Sequence, residues 1–243
     1  MSVELFTTSG KSIRFHVNAH ALLWRAKTLF TKEPETIRWL DTLGPRDVLY
    51  DVGANVGMYT IYAAALGAQV QAFEPEALNF AALAKNVVLN DLGHIATIWP
   101  IALSEGFGYA QMYLSEFSTG GSCHSYGKEV GFDLKPRPAK YRQGVHAAQL
   151  DDLVYKRGLP MPTHIKIDVD GFEHFVLAGG RAVLGDPRVR GVCVELNPNI
   201  PQHVYWATCL VDHYDYKLDP EQVARSTRTE GAFKGVAEHV FHR

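Results

Sequence analysis

The chain has 243 residues, 47% hydrophobic and 21% charged, proportions that supply apolar mass for a sizeable core and exclude disordered and collagen-like architectures. Lys and Arg number 24 against 26 Asp and Glu, a formal charge of -2, so a nucleic-acid partner would need a local basic patch rather than a general field. Cys123, Cys193 and Cys209 form no CxxC pair. Together with the lack of a basic-then-apolar leader and of any run of roughly 18 apolar residues, this leads us to expect a cytoplasmic protein with no transmembrane segment.

In chain order, residues 3–17 carry two β-like runs around Ser9-Gly10-Lys11, a hairpin signature, and Glu35 to Leu43 reads as a helix closed by Gly44-Pro45. Val48 to Val52 is an apolar strand running into Gly53-Ala54-Asn55-Val56-Gly57, followed by a helix to about Leu66 and a second strand over Ala68 to Glu74. A helix is predicted to start at Glu74-Pro75, with Phe80, Leu83, Ala84, Val87 and Val88 forming its apolar stripe. Ile95 to Leu103 reads as a third strand and Ala110 to Leu114 as a short fourth one. Residues 115–144 break the rhythm, with two prolines and the basic set Lys128, Lys135, Arg137, Lys140 and Arg142. Strand His164 to Val169, helix Glu173 to Leu184, strand Gly191 to Leu196, a helix near His203 to Val211 and a strand around His239 to Phe241 complete the pattern. Alternating strands and helices predict an α/β fold, a sheet of about seven mostly parallel strands with helices on both faces. Its expected parts are an N-terminal cap over 1–44 and a main domain over 45–243, with 115–144 as an insertion covering the acceptor.

Glycines in a strand-to-helix turn let backbone approach a ligand, the following helix N-terminus offers unpaired N–H groups, and an acidic side chain at the tip of the next strand can accept from ribose hydroxyls. Asp51-x-Gly53-x-Asn55-x-Gly57 and Glu74, 17 residues after Gly57, have this arrangement, which points to a nucleoside-containing cofactor across the carboxyl ends of the sheet. The spacing is neither the Gly-x-Gly-x-x-Gly of dinucleotide sites nor a phosphate-binding P-loop. It resembles the acidic-x-Gly-x-Gly-x-Gly motif of class I S-adenosylmethionine (SAM) methyltransferases, with Asn55 in place of the middle glycine.

The resemblance extends over nearly the whole chain to the FkbM family of methyltransferases. It is carried by Lys32-Glu33-Pro34-Glu35-Thr36, by Asp51 to Thr60, by Phe73-Glu74-Pro75 and Ala102-Leu103-Ser104-Glu105, by the block Ile165-Lys166-Ile167-Asp168-Val169-Asp170-Gly171-Phe172-Glu173, and by the ending His239-Val240-Phe241. It implies a SAM-dependent O-methyltransferase with a Rossmann-like fold acting on a hydroxyl of a sugar, glycan, glycolipid or small natural product. Asp51, Gly53, Asn55, Gly57, Thr60, Glu74, Ser104 and Asp168 are the cofactor candidates.

Charged residues on a central strand are costly unless paired, so Lys166, Asp168 and Asp170 suggest function at that strand's carboxyl end, with an ion pair from Lys166 to Asp51 or Glu195 as the structural alternative. Methyl transfer to a hydroxyl needs an aligned oxygen and a proton acceptor. The catalytic candidates are Asp168, Asp170, His124 and Lys166. A Mg²⁺ ion on Asp168, Asp170, Glu195 and Asn197 is a second possibility, and the basic insertion with Tyr126, Phe132 and Tyr141 would suit an anionic or sugar acceptor. The competing readings are a nucleic-acid methyltransferase, against which the strand-end Asp168-Val169-Asp170-Gly171 speaks, another small-molecule methyltransferase, and a SAM-binding module without catalysis.

Overall fold

In the computed structural model, which describes residues 1–243, β1 (Ser2–Phe6) and β2 (Ser12–His16) form an antiparallel hairpin, followed by α1 (His20–Thr28) and α2 (Pro34–Leu40). Then come β3 (Val48–Val52), α3 (Met58–Leu66), β4 (Gln69–Phe73), α4 (Ala77–Leu89) and β5 (Ala96–Trp99). β6 (Ala102–Leu103), β7 (Gly108–Leu114), β8 (Ser125–Tyr126) and β9 (Tyr141–Ala148) interrupt the alternation. It resumes with α5 (Leu150–Tyr155), β10 (His164–Ile167), α6 (Glu173–Ala178), α7 (Arg181–Gly185), β11 (Gly191–Leu196), α8 (Pro201–Asp212), β12 (Lys217–Leu218), α9 (Pro220–Ser226) and β13 (Ala237–His242).

Seven strands form the main sheet in the order β12-β13-β11-β10-β3-β4-β5. β5, β4, β3, β10 and β11 run parallel, and β13 is antiparallel to both its neighbours. The chain winds outward from β3 to β4 and β5 on one side and returns through β10 to β11 on the other. The carboxyl ends of β3 and β10 therefore flank a topological switch point, where open α/β sheets bind ligands.

Both sheet faces are covered, which is why the central strands are almost wholly apolar. On one face Leu49, Val70 and Ala72 join α3, α4 and residues of the first 44 positions, such as Phe15, Leu22 and Trp39, in one core. On the other face Tyr50, Val52, Ile165, Ile167 and Val194 pack with α5 to α8. Strand register sets Lys166 opposite both Asp51 and Cys193, on the first of these faces.

Several predicted elements are revised. The stretch 95–103 is not one strand: Pro100, which lacks an N–H, separates β5 from β6, and β6 joins a second sheet ordered β6-β9-β7-β8. The helix expected at Glu74-Pro75 begins at Ala77, with the Glu76 carboxylate accepting from Leu78 and Asn79 N–H as its cap. The single helix over 173–184 is two, parted at Gly179-Gly180. A Cβ on Gly179 would lie 2.1 Å from Ser104 O, and one on Gly180 would lie 2.7 Å from Leu150. β9 takes in the last four residues of the irregular segment 115–144, and α1, α5, α9 and β12 lie where the sequence reading placed no element.

Candidate active site

The turn after β3 is built by backbone conformation. Gly53 and Gly57 have φ of 82° and 87°, and Asn55 is left-handed too at 51°. Asparagine is among the few side chains that tolerate this region, which accounts for its standing where the motif has glycine. A Cβ on Gly53 would lie 1.9 Å from Asp168 O, and one on Gly57 would lie 2.4 Å from Leu83. Both positions therefore need glycine for close approach as well as for φ.

Glu74, at the tip of β4, holds this turn. Its Oε2 accepts from Asn55 N–H and its Oε1 from Glu76 N–H, each at 2.8 Å. Burial pushes its carboxyl up to about 8 against those two hydrogen bonds. Next to it lies a cavity of about 430 Å³ whose wall includes Gly53, Asn55, Glu74, Asp168 and Asp170, within the size range of small-molecule and cofactor sites.

A segment of the insertion is fastened over this cavity from four directions. Gly121 O accepts from Asn55 Nδ2 at 2.8 Å and Asn79 Nδ2 at 3.1 Å, while Gly120 N–H donates to Asn79 Oδ1 at 2.7 Å. Arg25 of α1 donates twice to Gly120 O, at 3.0 and 2.8 Å. Cys123 N–H donates to Asp170 Oδ2 at 2.7 Å. Gly121, Ser122, His124 and Tyr126 thereby reach the cavity wall.

Not every candidate reaches it. Asp51 is buried with its Oδ2 accepting from Thr60 Oγ1 at 2.6 Å, and neither residue belongs to the wall of the cavity. Gly57 and Ser104 are absent from that wall too. Lys166 bridges neither Asp51 nor Glu195; its Nζ pairs with Asp168 Oδ2 at 3.1 Å and lies 4.8 Å from the Tyr59 ring centre. Burial opposes the Lys166 charge, but Asp168 and Glu33 outweigh it and hold the ammonium well above its usual range. In turn Lys166 and Lys32 overcome burial at Asp168 and keep that carboxyl well below the usual carboxylate range. Burial and the neighbouring Asp168 charge push Asp170 the other way, up to about 6. Asp170 and Cys123 are both left-handed, with φ of 54° and 60°, conformations that cost of order 1 kcal/mol or more and recur at functional sites.

The proposed metal set does not assemble. Asn197 Oδ1 accepts from Asn199 N–H at 2.9 Å, and the carboxylates that converge to within 4.8 Å of one another are instead Glu33, Glu195 and Glu238. Arg228 already serves them, pairing with Glu195 and lying 3.5 Å from Glu238 and 3.9 Å from Glu33.

The positive charge at the cavity is also differently sourced. Arg25, Lys32 and Arg228 line it, whereas no basic residue of 115–144 does. Lys135 pairs with Asp133, Arg142 with Glu129, and Lys128 lies over the Phe175 ring. Phe132 stacks on Phe233 and Tyr141 packs on Phe117, so Tyr126 is the one of the three proposed aromatics at the wall. Trp24 and Phe233 line it in their place. Lys32 fell inside a recognised motif without a role, while nothing in the local pattern around Trp24, Arg25 or Arg228 marked them.

Residues 51–218 match the Methyltransferase FkbM domain. The chain belongs to the FkbM methyltransferase family. It is 28% identical over 204 residues to 31-O-demethyl-FK506 methyltransferase FkbM of Streptomyces tacrolimicus, covering 75% of this chain and 77% of that protein. It is also 28% identical over 194 residues to hexuronic acid methyltransferase AglP of Haloferax volcanii, covering 79% and 73% respectively. The fold is shared with a crystal structure of methyltransferase FkbM from Methylobacillus flagellatus, at a TM-score of 0.53 and 13% identity over 91% of this chain; the chain spans 58% of that protein's length. The matched residues thus form a SAM-dependent methyltransferase domain. No helix is long and apolar enough to cross a membrane.

The site fits that cofactor on its own evidence. His124 Nε2, buried on a residue of the cavity wall, lacks any hydrogen-bond partner, and the cavity beside Glu74 has a volume within the range of small-molecule and cofactor sites.

Proposed function

We propose that this FkbM-family protein methylates a hydroxyl oxygen of a sugar or small natural product, with Asp170 taking the hydroxyl proton. Gly53, Asn55 and Glu74 would hold SAM, with Glu74 accepting from its ribose hydroxyls, and the bound cofactor would supply the electrophilic methyl group. Asp170 carries the reading. Its Oδ2 is fixed by Cys123 N–H, its position at the cavity wall puts it within reach of an acceptor, and a carboxyl held near 6 is basic enough to take a proton at neutral pH. Asp168, locked to Lys166 and kept strongly acidic, is a poor base and a good fixed anion for the positively charged end of the cofactor. Lys166 positions Asp168 and touches neither reactant.

Trp24, Phe233 and Tyr126 give the acceptor side flat apolar faces, which suit the hydrophobic side of a sugar ring as well as a polyketide-type surface. The two relatives, one named for 31-O-demethyl-FK506 and one for a hexuronic acid, support acceptors of both kinds.

Asp170→Asn keeps an oxygen for Cys123 N–H and removes the base. Turnover with p-nitrophenyl glycosides, uronides and macrolide alcohols should fall by about a hundredfold or more, while S-adenosylhomocysteine affinity stays within about threefold. Unchanged turnover in this variant would remove Asp170 from its role.

A further inference from the structure

His124 was a candidate base on sequence, and its surroundings assign it the opposite chemistry. Ser115 backbone N–H donates to His124 Nδ1 at 3.2 Å, and the Ser115 hydroxyl spends its own proton on Ser122 O at 2.6 Å. Nδ1 must therefore present a lone pair, so the single ring proton of the neutral imidazole is on Nε2. Burial pushes the imidazole down from its ordinary value, aided by Arg25 and opposed by Glu76 and Glu116, which keeps it neutral at pH 7. Nε2 is buried, makes no hydrogen bond to any protein group, and belongs to a residue of the cavity wall that is only 8% exposed. A buried N–H of this kind is costly unless a ligand atom accepts from it.

The position of the ring selects the ligand atom. His124 follows Gly121 and Ser122, the segment held by Asn55 of the cofactor turn and Asn79 of α4. The carboxylates whose charge reaches it are Glu76 and Glu116, and Glu76 stands two residues beyond Glu74, where the ribose is expected. Cys123, its neighbour in sequence, donates its N–H to Asp170 Oδ2 at 2.7 Å, so the strip runs from the methyl-transfer end toward the nucleoside end, and the His124 ring lies on the side of Glu76.

We propose that His124, locked in its Nε2–H tautomer by Ser115, is a hydrogen-bond donor to the nucleoside half of the bound cofactor, on an adenine nitrogen or a ribose oxygen. This rests on the cavity being the cofactor site. It makes the insertion a part of cofactor binding as well as a cover for the acceptor.

Two measurements on the whole chain test it. Nitrogen NMR of protein labelled at histidine should show His124 protonated at Nε2, with that signal moving when 5′-methylthioadenosine, the cofactor's nucleoside half without its amino acid, is added. Calorimetry should then show S-adenosylhomocysteine and 5′-methylthioadenosine both weakened about tenfold by His124→Phe, the 1.4 kcal/mol of one neutral hydrogen bond. His124→Gln, whose amide N–H can replace Nε2–H but which cannot act as a base, should bind both within about threefold of the natural protein. An Nδ1–H tautomer, a signal indifferent to 5′-methylthioadenosine, or a Phe variant that binds both ligands normally would overturn the proposal. So would a loss confined to S-adenosylhomocysteine, since the donor would then face the amino-acid half. If the natural protein binds neither ligand, the cofactor assignment of the cavity itself falls.

Discussion

Glu74 is a buried carboxyl that already serves two backbone N–H groups; in the proposed cofactor site it would accept ribose hydroxyls as well, and burial makes it a pH-sensitive residue. Its folded value near 8 lies above the ordinary 4.5, so between those values the folded chain keeps a proton that the unfolded chain has lost. For a raised acid this means that the Glu74 contribution to stability falls as pH rises through that window. Ligand hydroxyls favour the carboxylate, so S-adenosylhomocysteine should bind more tightly as pH rises from 7 to about 8, by at most about tenfold per unit, and then level off. Glu74→Gln should flatten that slope in calorimetric titrations; an identical slope in the variant would show that another group titrates. Glu74 and Asp170 were legible in sequence because each stands at a strand end after an apolar run. The inward burial of Asp51 and Thr60 was not, because a motif residue that braces the loop from behind has the same local pattern as one that touches the ligand. The tautomer of His124 depends on Ser115, nine residues away across an irregular segment, and no spacing rule carries that information.

At the scale of elements, the central strands and the helices with sustained 3.6-residue periodicity were recognisable because burial on both faces forces apolar runs. Their interruptions were not, since Gly179 and Gly180 break a helix through contacts with Ser104 and Leu150, which come from elsewhere in the chain. The second sheet escaped for a related reason. β7 turns every second residue inward, but its outer face carries Tyr109 and Tyr113, and β9 starts on exposed residues at the end of the irregular segment, so neither strand shows the alternation of apolar and polar residues that marks a half-buried strand. The junction of the β3 turn with the end of β10 is the tightest contact at the switch point. Asp168 N–H donates to Val52 O at 3.0 Å, which fixes the carbonyl that a Gly53 side chain would strike. Gly53→Ala should therefore lose about 2 kcal/mol or more from backbone strain and collision, lowering Tm by roughly 4–8 °C. Gly106→Ala, where a Cβ meets open space, serves as the control and should leave the melting curve within about a degree. Equal melting of the two variants would mean that the turn is free to yield.

Across the whole molecule, the nearly neutral charge conceals a concentrated one. Glu33, Asp51, Glu195 and Glu238 are buried, with Asp168 beside them, around Lys32, Lys166 and Arg228; burial pushes Asp51, Glu195 and Glu238 toward the neutral form, while at Glu33 and Asp168 burial is outweighed by the lysines, which hold both ionised. Glu33, Lys32 and Arg228 lie outside the matched span of 51–218, as do Trp24 and Arg25. The family core therefore supplies the Gly53–Gly57 turn and Asp170, while the chain's two ends add Trp24, Arg25, Lys32, Arg228 and Phe233 to the cavity wall. This division explains why the reaction class was readable and the acceptor was not: the ends carry their side chains to the site through long-range packing, almost 200 residues apart in the case of Lys32 and Arg228. The reaction proposed for this cavity is methyl transfer to a hydroxyl. It is tested most directly by supplying SAM with a ¹³C-labelled methyl group together with sugar, uronide and macrolide alcohols, and locating the label in the product by NMR. A methoxy group on an acceptor hydroxyl, formed by the natural protein and greatly reduced in Asp170→Asn, is the expected product; label on nitrogen or carbon, or equal yield from the variant, would rule out O-methylation with Asp170 as the base.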